Sequence, residues 1–262
     1  MRLNEDSYRK KVRAGWLGKC IGGNLGAIPE CLKKRSYFLK PEDFMPEKML
    51  ANDDLDLQLV WLQVLLDKGL SFTSDDLMEE FIKCYPANPN EYGYGKRNYR
   101  RGIKPPVSGT FANEFFMNSM GCPIRAEIWA MICPGRPEKG IELAYRDGCL
   151  DHGEESIYAE QYITALESLS FLSQDRLELI KKAMEYIPET SRIYHVISDI
   201  SGAFEKGSEL EKVMDYLETE YGDVDCSISF YNIGVIALAL LYGNGEFEKT
   251  ITLAVNCGYD TD

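Results

Sequence analysis

Histidine is almost missing from this chain: of 262 residues only two, His152 and His195, carry an imidazole. The eight cysteines form no C-x-x-C pair. Zinc centres usually draw on closely spaced cysteine and histidine, so no zinc site is expected. The cysteines are expected to be reduced and to act as small core residues, which points to a cytoplasmic protein. Basic charge is also scarce, with 29 Lys and Arg against 42 Asp and Glu, a net charge of −13. Such a field repels phosphate and argues against nucleic acid or an anionic membrane as a partner. A phosphate-bearing substrate then needs local help from metal ions or helix N-termini. Long apolar runs are missing too. Ile233 to Tyr242, the longest, is about half of what a membrane span requires. The stretch Ala14 to Ile28 is broken by Lys19, Asn24 and several glycines, so it is no secretory signal.

Strand signals are sparse, and neither an internal repeat nor a low-complexity tail is found. Helical periodicity is what the chain has in quantity. The segment Asp53 to Asp67 opens with acidic residues, which suit a helix N-terminus. Its apolar residues then surround most of the circumference, so a buried helix is expected. Glu154 to Leu172 and Ser229 to Leu241 read as two further long helices, the second apolar almost all round. Shorter helices are expected at 6–20, 74–83, 110–120, 124–132, 137–149, 174–186, 190–205, 208–220 and 246–257. Pro86, Pro89, Gly93, Gly95, Gly102, Pro105 and Pro106 predict a long irregular segment over about 85–109. The hydrophobic content of 45% suffices for one sizeable core. The expected fold class is all-α, a single compact multi-helix domain over residues 1–262. Its central helices are buried and its metal site lies at helix ends.

Two segments concentrate chemistry. Asn52-Asp53-Asp54-Leu55-Asp56 places carboxylates side by side at the head of an apolar helix, and adjacent buried carboxylates repel unless something positive compensates. A helix cap is one reading, with Asn52 capping and the aspartates complementing the dipole. Half of a metal site is the other. The closing run Asn256-Cys-Gly-Tyr-Asp-Thr-Asp262 supplies a second oxygen-rich cluster. Amide, hydroxyl and carboxylate oxygens suit hard cations such as Mg²⁺ or Mn²⁺, and a pair of ions activates water and polarises a leaving oxygen.

Four segments together resemble the ADP-ribosylglycohydrolases, all-α hydrolases with a dinuclear metal site. Ala14-Gly-Trp-Leu-Gly-Lys-Cys-Ile-Gly-Gly-Asn-Leu-Gly-Ala-Ile-Pro-Glu30 is similar to the family's opening G-x-x-x-G-x-x-x-G-D-x-x-G-x-x-x-E element. Asn52-Asp53-Asp54 stands where the family has Thr/Ser-Asp-Asp, and Asp151-His152-Gly153 opens a long helix as the family's His-containing turn does. Leu241 through Asp262 matches the closing Y-x-x-x-x-F-x-x-x-(I/L)-x-x-A-(V/A)-N-x-G-x-D-T-D, the most specific of the four. Asn24 departs from the family's frequent Asp, and Asn52 from its Thr or Ser. The family also places a hydroxyl ligand and more helix beyond its D-T-D, so C-terminal helices are expected to be lacking here.

The resemblance implies a metal-dependent glycoside hydrolase acting on a small-molecule or protein-linked ADP-ribosyl substrate. Asn52, Asp53, Asp54, Asp260 and Asp262 would ligate two Mg²⁺ ions, with Mn²⁺ as the alternative. Glu30, Asp53 and Asp54 would be the catalytic carboxylates. Alternatives are a hydrolase of another ribosyl or nucleoside conjugate, and a non-catalytic relative that binds ADP-ribose or a protein.

Substrate contacts are expected elsewhere. Tyr92 to Lys104 carries five basic residues. Its tyrosines and arginines, Arg100 and Arg101 among them, suit an adenine and a diphosphate, or else form a solvated loop. Ser108-Gly109-Thr110 reads as a phosphate-cradling turn or a plain cap. His152 is a ribose or phosphate contact by family analogy, or a capping residue; His195 reads as structural. The glycines of 15–26 follow a helix, not a strand, and so serve close helix packing rather than a dinucleotide fingerprint.

Overall fold

The computed structural model describes residues 3–33 and 51–262. Among them every regular element is helical, so the all-α expectation holds. Two compact units make up the chain, one from residues 1–52 with 171–262 and the other from 53–170.

The first unit holds α1 (Glu5–Gly26), α8 (Arg176–Met184), α9 (Arg192–Glu205), α10 (Leu210–Tyr221), α11 (Ser229–Tyr242) and α12 (Phe247–Asn256). The second holds α2 (Asp53–Lys68), α3 (Ser74–Cys84), α4 (Asn90–Arg100), α5 (Ala126–Ile132), α6 (Pro137–Gly148) and α7 (Glu154–Ser170). Local chemistry starts several of these helices. Asn4 caps α1 by accepting from Ser7 N–H, and Asp175 and Ser191 cap α8 and α9 in the same way. Thr73 and Asp76 form a reciprocal capping box on α3.

In the first unit α9 packs along α11, which is buried on nearly every side, as its all-round apolar sequence requires. α1 lies against α12, with Leu25 and Val255 buried between them. In the second unit α6 packs along α7. The core there is aromatic: Phe72 stacks on Trp129 at 5.4 Å and Trp61 meets Phe81 edge-on at 5.5 Å.

Four expectations change. α2 is not buried all round: it buries Asp54, Leu57, Gln58, Trp61 and Val64 on one face, while Leu59, Leu62 and Leu66 on the other are exposed. Segment 85–109 is not irregular throughout, because α4 runs through its middle. The glycines there serve packing instead: a Cβ on Gly95 would lie 2.7 Å from Asp151 Cβ, and one on Gly93 2.6 Å from the Asn88 carbonyl. Residues 110–120 turn rather than form a helix. Ala112 has φ +51°, and the Asn113 amide donates to the Gly109 and Asp151 carbonyls, which holds the chain in that turn. Finally, the cysteines are not all reduced. Cys31 and Cys226 form a disulfide with Cα atoms 5.1 Å apart, while Cys122, Cys133, Cys149 and Cys257 are the buried thiols that were expected. No described helix is long and apolar enough to cross a membrane.

Candidate functional site

In the first unit the two ends of the sequence pattern meet. α1 ends at Gly26 and turns through Pro29 into Glu30, while α12 ends at Asn256 and runs through Gly258, at φ +75°, into Asp260-Thr261-Asp262. The contact between them is backbone on backbone. Thr261 donates its hydroxyl to the Gly26 carbonyl at 2.7 Å. A Cβ on Gly26 would lie 1.6 Å from the Thr261 oxygen, so only glycine admits this approach. Three residues earlier, on the same face of α1, a Cβ on Gly23 would lie 2.7 Å from the Asn52 amide nitrogen. Cys31 N–H donates to the Tyr259 carbonyl at 2.7 Å, and Tyr259 N–H returns to Leu32 at 3.3 Å. The Tyr259 ring stacks on Tyr231 at 3.8 Å. Asp260 N–H donates to Asn232 Oδ1 at 3.3 Å.

These anchors gather Glu30, Asp260 and Asp262 into one cluster, each presenting a carboxylate oxygen, with those oxygens within 4.8 Å of one another. Asn52 donates its amide N–H to Asp262 Oδ2 at 3.2 Å. Its Oδ1 is buried and, among the described residues, accepts no hydrogen bond. That oxygen therefore does not cap α2, as one reading of Asn52 required. A buried carbonyl oxygen without a donor beside three carboxylates is a donor set that fits a hard cation. The family resemblance makes Glu30 a catalytic carboxylate only, and the structure places it inside the cluster.

The second unit holds the other predicted residues. Asp53 and Asp54 are the first two residues of α2. Asp53 Oδ2 accepts from the Tyr92 hydroxyl at 3.3 Å. Ser108, Gly109 and His152 come together: the Ser108 hydroxyl donates to the Leu150 carbonyl at 2.8 Å, and a Cβ on Gly109 would lie 2.3 Å from the His152 oxygen. His152 is completely buried, with Nδ1 2.7 Å from Asp151 Oδ1 and Nε2 3.2 Å from Ser119 Oγ. Burial pushes its pKa down against the pull of Asp151, so the neutral ring donates to the carboxylate and accepts from the serine. Its contacts are those of a structural residue. Thr110 is exposed, and so are Arg100 and Arg101 at the end of α4. The tyrosines of this helix are less available than a loop would make them, since Tyr92 is buried and Tyr94 lies under the Arg97 guanidinium at 4.3 Å. His195, read as structural, is exposed on α9.

A buried ionic cluster beneath this region has no counterpart in the sequence reading. Arg125 donates two parallel bonds to Asp151, at 3.1 and 2.9 Å, and its Nη2 lies 2.9 Å from Asp147. All three side chains are fully buried. Burial raises the Asp151 carboxyl, but Arg125 and His152 win and hold it at about 2. Asp147 is pushed up to about 6 by burial against the pull of Arg125. Burial and the charge of Asp147 raise Glu160 well above its usual range, and burial takes Glu91 to about 8. At neutral pH the cluster thus keeps one arginine against the two aspartates, with Glu91 protonated beside it. The one sequence signal for it is charge in apolar company: Glu160 follows Tyr158 and Ala159 on α7, and Arg125 precedes the apolar α5.

Comparison with known proteins follows the same lines. No curated protein matches the chain. A solved structure named as an ADP-ribosylglycohydrolase-related protein complex is 18% identical, with a TM-score of 0.70 over 98% of this chain and 83% of that one. At that identity the likeness shows a common fold. The sequence profile of the family described as ADP-ribosylglycohydrolase matches residues 4–262. That match runs from α1 through the closing carboxylate cluster, and the chain belongs to the ADP-ribosylglycohydrolase family.

Proposed function

We propose that the protein hydrolyses an N- or O-glycosidic bond to ADP-ribose, releasing ADP-ribose from a modified protein or small molecule with the help of divalent cations, Mg²⁺ or Mn²⁺. One observation carries this reading: Glu30, Asp260 and Asp262 converge within 4.8 Å. The unpartnered carbonyl oxygen of Asn52, whose amide bonds Asp262, supports it. Asn52, Asp260 and Asp262 would hold the cations, with Asp53 and Asp54, the next residues along the chain, as further ligands. When bound, such ions polarise ribose oxygens and make water a better nucleophile at neutral pH. Water adds to C1″ as the bond to the leaving nitrogen or oxygen breaks. Glu30, at the exposed edge of the cluster, takes the proton from that water and returns it to the departing nitrogen or oxygen. The surrounding carboxylate charge stabilises the oxocarbenium-like state through which such bonds break.

The test is incubation with ADP-ribosylated arginine, ADP-ribosylated serine and O-acetyl-ADP-ribose, with and without Mg²⁺ or Mn²⁺, following free ADP-ribose by mass spectrometry. Release from at least one, lost in Asp260→Asn, is the expected result. Cation binding without release from any of them marks a binder or a hydrolase of other ribosyl conjugates. No cation binding by calorimetry ends the metal reading.

A further inference from the structure

Asp53 has a partner that sequence patterns do not single out. Tyr92, in the first turn of α4, is buried to 3% exposure in the core of the second unit. Its hydroxyl lies 3.3 Å from Asp53 Oδ2 and 3.3 Å from the Gly121 carbonyl. A phenol has one proton to donate, so these two acceptors share it. The ring has little freedom to serve anything else. Phe81 meets it edge-on at 5.5 Å, Tyr85 at 6.1 Å and His152 at 6.5 Å. Gly121 closes the remaining side, where an added Cβ would lie 2.8 Å from Tyr92 Cε1. The packing that fixes the ring is itself braced, because the Lys96 ammonium donates to the Tyr85 and Ala87 carbonyls at 2.5 and 2.9 Å and lies 3.9 Å from the Phe81 centroid.

We propose that Tyr92 is the positioning residue for Asp53: a donor held rigidly by the aromatic core, which fixes the Asp53 carboxylate in the orientation that accepts a divalent cation. The inference rests on the reading of Asp53 as a cation ligand. Its physical basis is general, since groups that hydrogen-bond a ligating carboxylate orient it, and their removal typically weakens metal binding about 10- to 100-fold. The Tyr92–Asp53 bond is long and shared, which places the expected effect at the lower end. A purely packing role would leave the metal affinity of the folded molecule alone, because phenylalanine keeps the ring.

Mn²⁺ alone is the probe, titrated calorimetrically into the full chain well below its melting temperature. Circular dichroism confirms that each variant is folded. Tyr92→Phe should weaken Mn²⁺ about tenfold. Tyr99→Phe, which removes a hydroxyl bonded to Glu79 on the exposed side of α4, should bind as the wild type does. In an Asp53→Ala background the further change Tyr92→Phe should cost nothing, because the partner is already gone. Wild-type affinity in Tyr92→Phe overturns the proposal, and so does an equal loss with or without Asp53. If Asp53→Ala alone leaves Mn²⁺ binding intact, the ligand assignment of Asp53 has failed and the positioning role falls with it. A loss in Asp53→Ala without one in Tyr92→Phe removes the positioning role only.

Discussion

Gly26 and Gly22 lie one helical turn apart on α1, and the structure predicts opposite outcomes for the same substitution. A Cβ on Gly26 would lie 1.6 Å from the Thr261 carbonyl oxygen, 2.1 Å from its carbon and 2.5 Å from the Asp262 nitrogen. All three are backbone atoms, so no rotamer change relieves the clash. Restoring an ordinary contact distance requires the Asp260–Asp262 segment to retreat by about 2 Å. Overpacking of this kind costs about 1–3 kcal/mol. Losing the Thr261 hydroxyl bond to the Gly26 carbonyl adds about 1 kcal/mol more. A carboxylate ligand tolerates only about 0.2 Å of misplacement, so Mn²⁺ affinity should fall at least about tenfold in Gly26→Ala. Around Gly22 a Cβ would meet nothing within 4 Å among the described residues. Alanine there should instead stabilise the chain by about 0.5–1 kcal/mol through helix propensity alone. Thermal denaturation and Mn²⁺ calorimetry on the two variants give the comparison. If Gly26→Ala melts and binds Mn²⁺ as the wild type does, the close approach of α1 to the closing segment is wrong, and with it the cluster geometry.

Folding stability should decline between about pH 6.5 and pH 8. Over this range Glu91, raised from 4.5 to about 8, stays protonated when folded and is ionised when unfolded, so its stabilising contribution is full at low pH and is lost as pH rises through the folded value. Glu160 acts in the same sense, whereas the depressed His152 opposes it only below its ordinary value of 6.5. Urea denaturation across the window should therefore show a slope that Glu91→Gln reduces by about 1.4 kcal/mol per pH unit; an unchanged slope refutes the burial of the Glu91 carboxyl. The Cys31–Cys226 disulfide spans 195 residues of sequence and should contribute about 2–4 kcal/mol by restricting the unfolded chain. Non-reducing peptide mapping should recover the crosslinked pair, and dithiothreitol should lower the melting temperature; two freely alkylated thiols and an unmoved midpoint contradict it.

Helical periodicity located nearly every helix, because an apolar face is a local property of spacing. It failed where spacing and packing part company. The glycines of α4 read as breaks, yet they are the positions at which Asn88, Leu150 and Asp151 pass close to the helix. A string of residues does not reveal what lies 3 Å away in the fold. The same limit explains α2, whose leucines on every side predicted burial although only the Trp61 face meets a core. Within the candidate site, the oxygen-rich chemistry of Asn52 and of Asp260-Thr261-Asp262 was visible because like charges stood next to each other in sequence. Glu30 entered only through the family resemblance, and its company with Asp260 and Asp262 only through the folded turn after α1. The buried cluster shows the limit most clearly. Arg125, Asp147 and Asp151 are each ordinary surface residues to a composition-based reading, and burying any one of them alone would be prohibitive. Together they offset one another's charge, with Arg125 hydrogen-bonding Asp151 and lying 2.9 Å from Asp147, and Trp129 donating to Asp147 at 3.0 Å. Their burial is a property of the set, and sequence spacing carries no record of a set assembled from the turn before α5, from α6 and from the turn before α7.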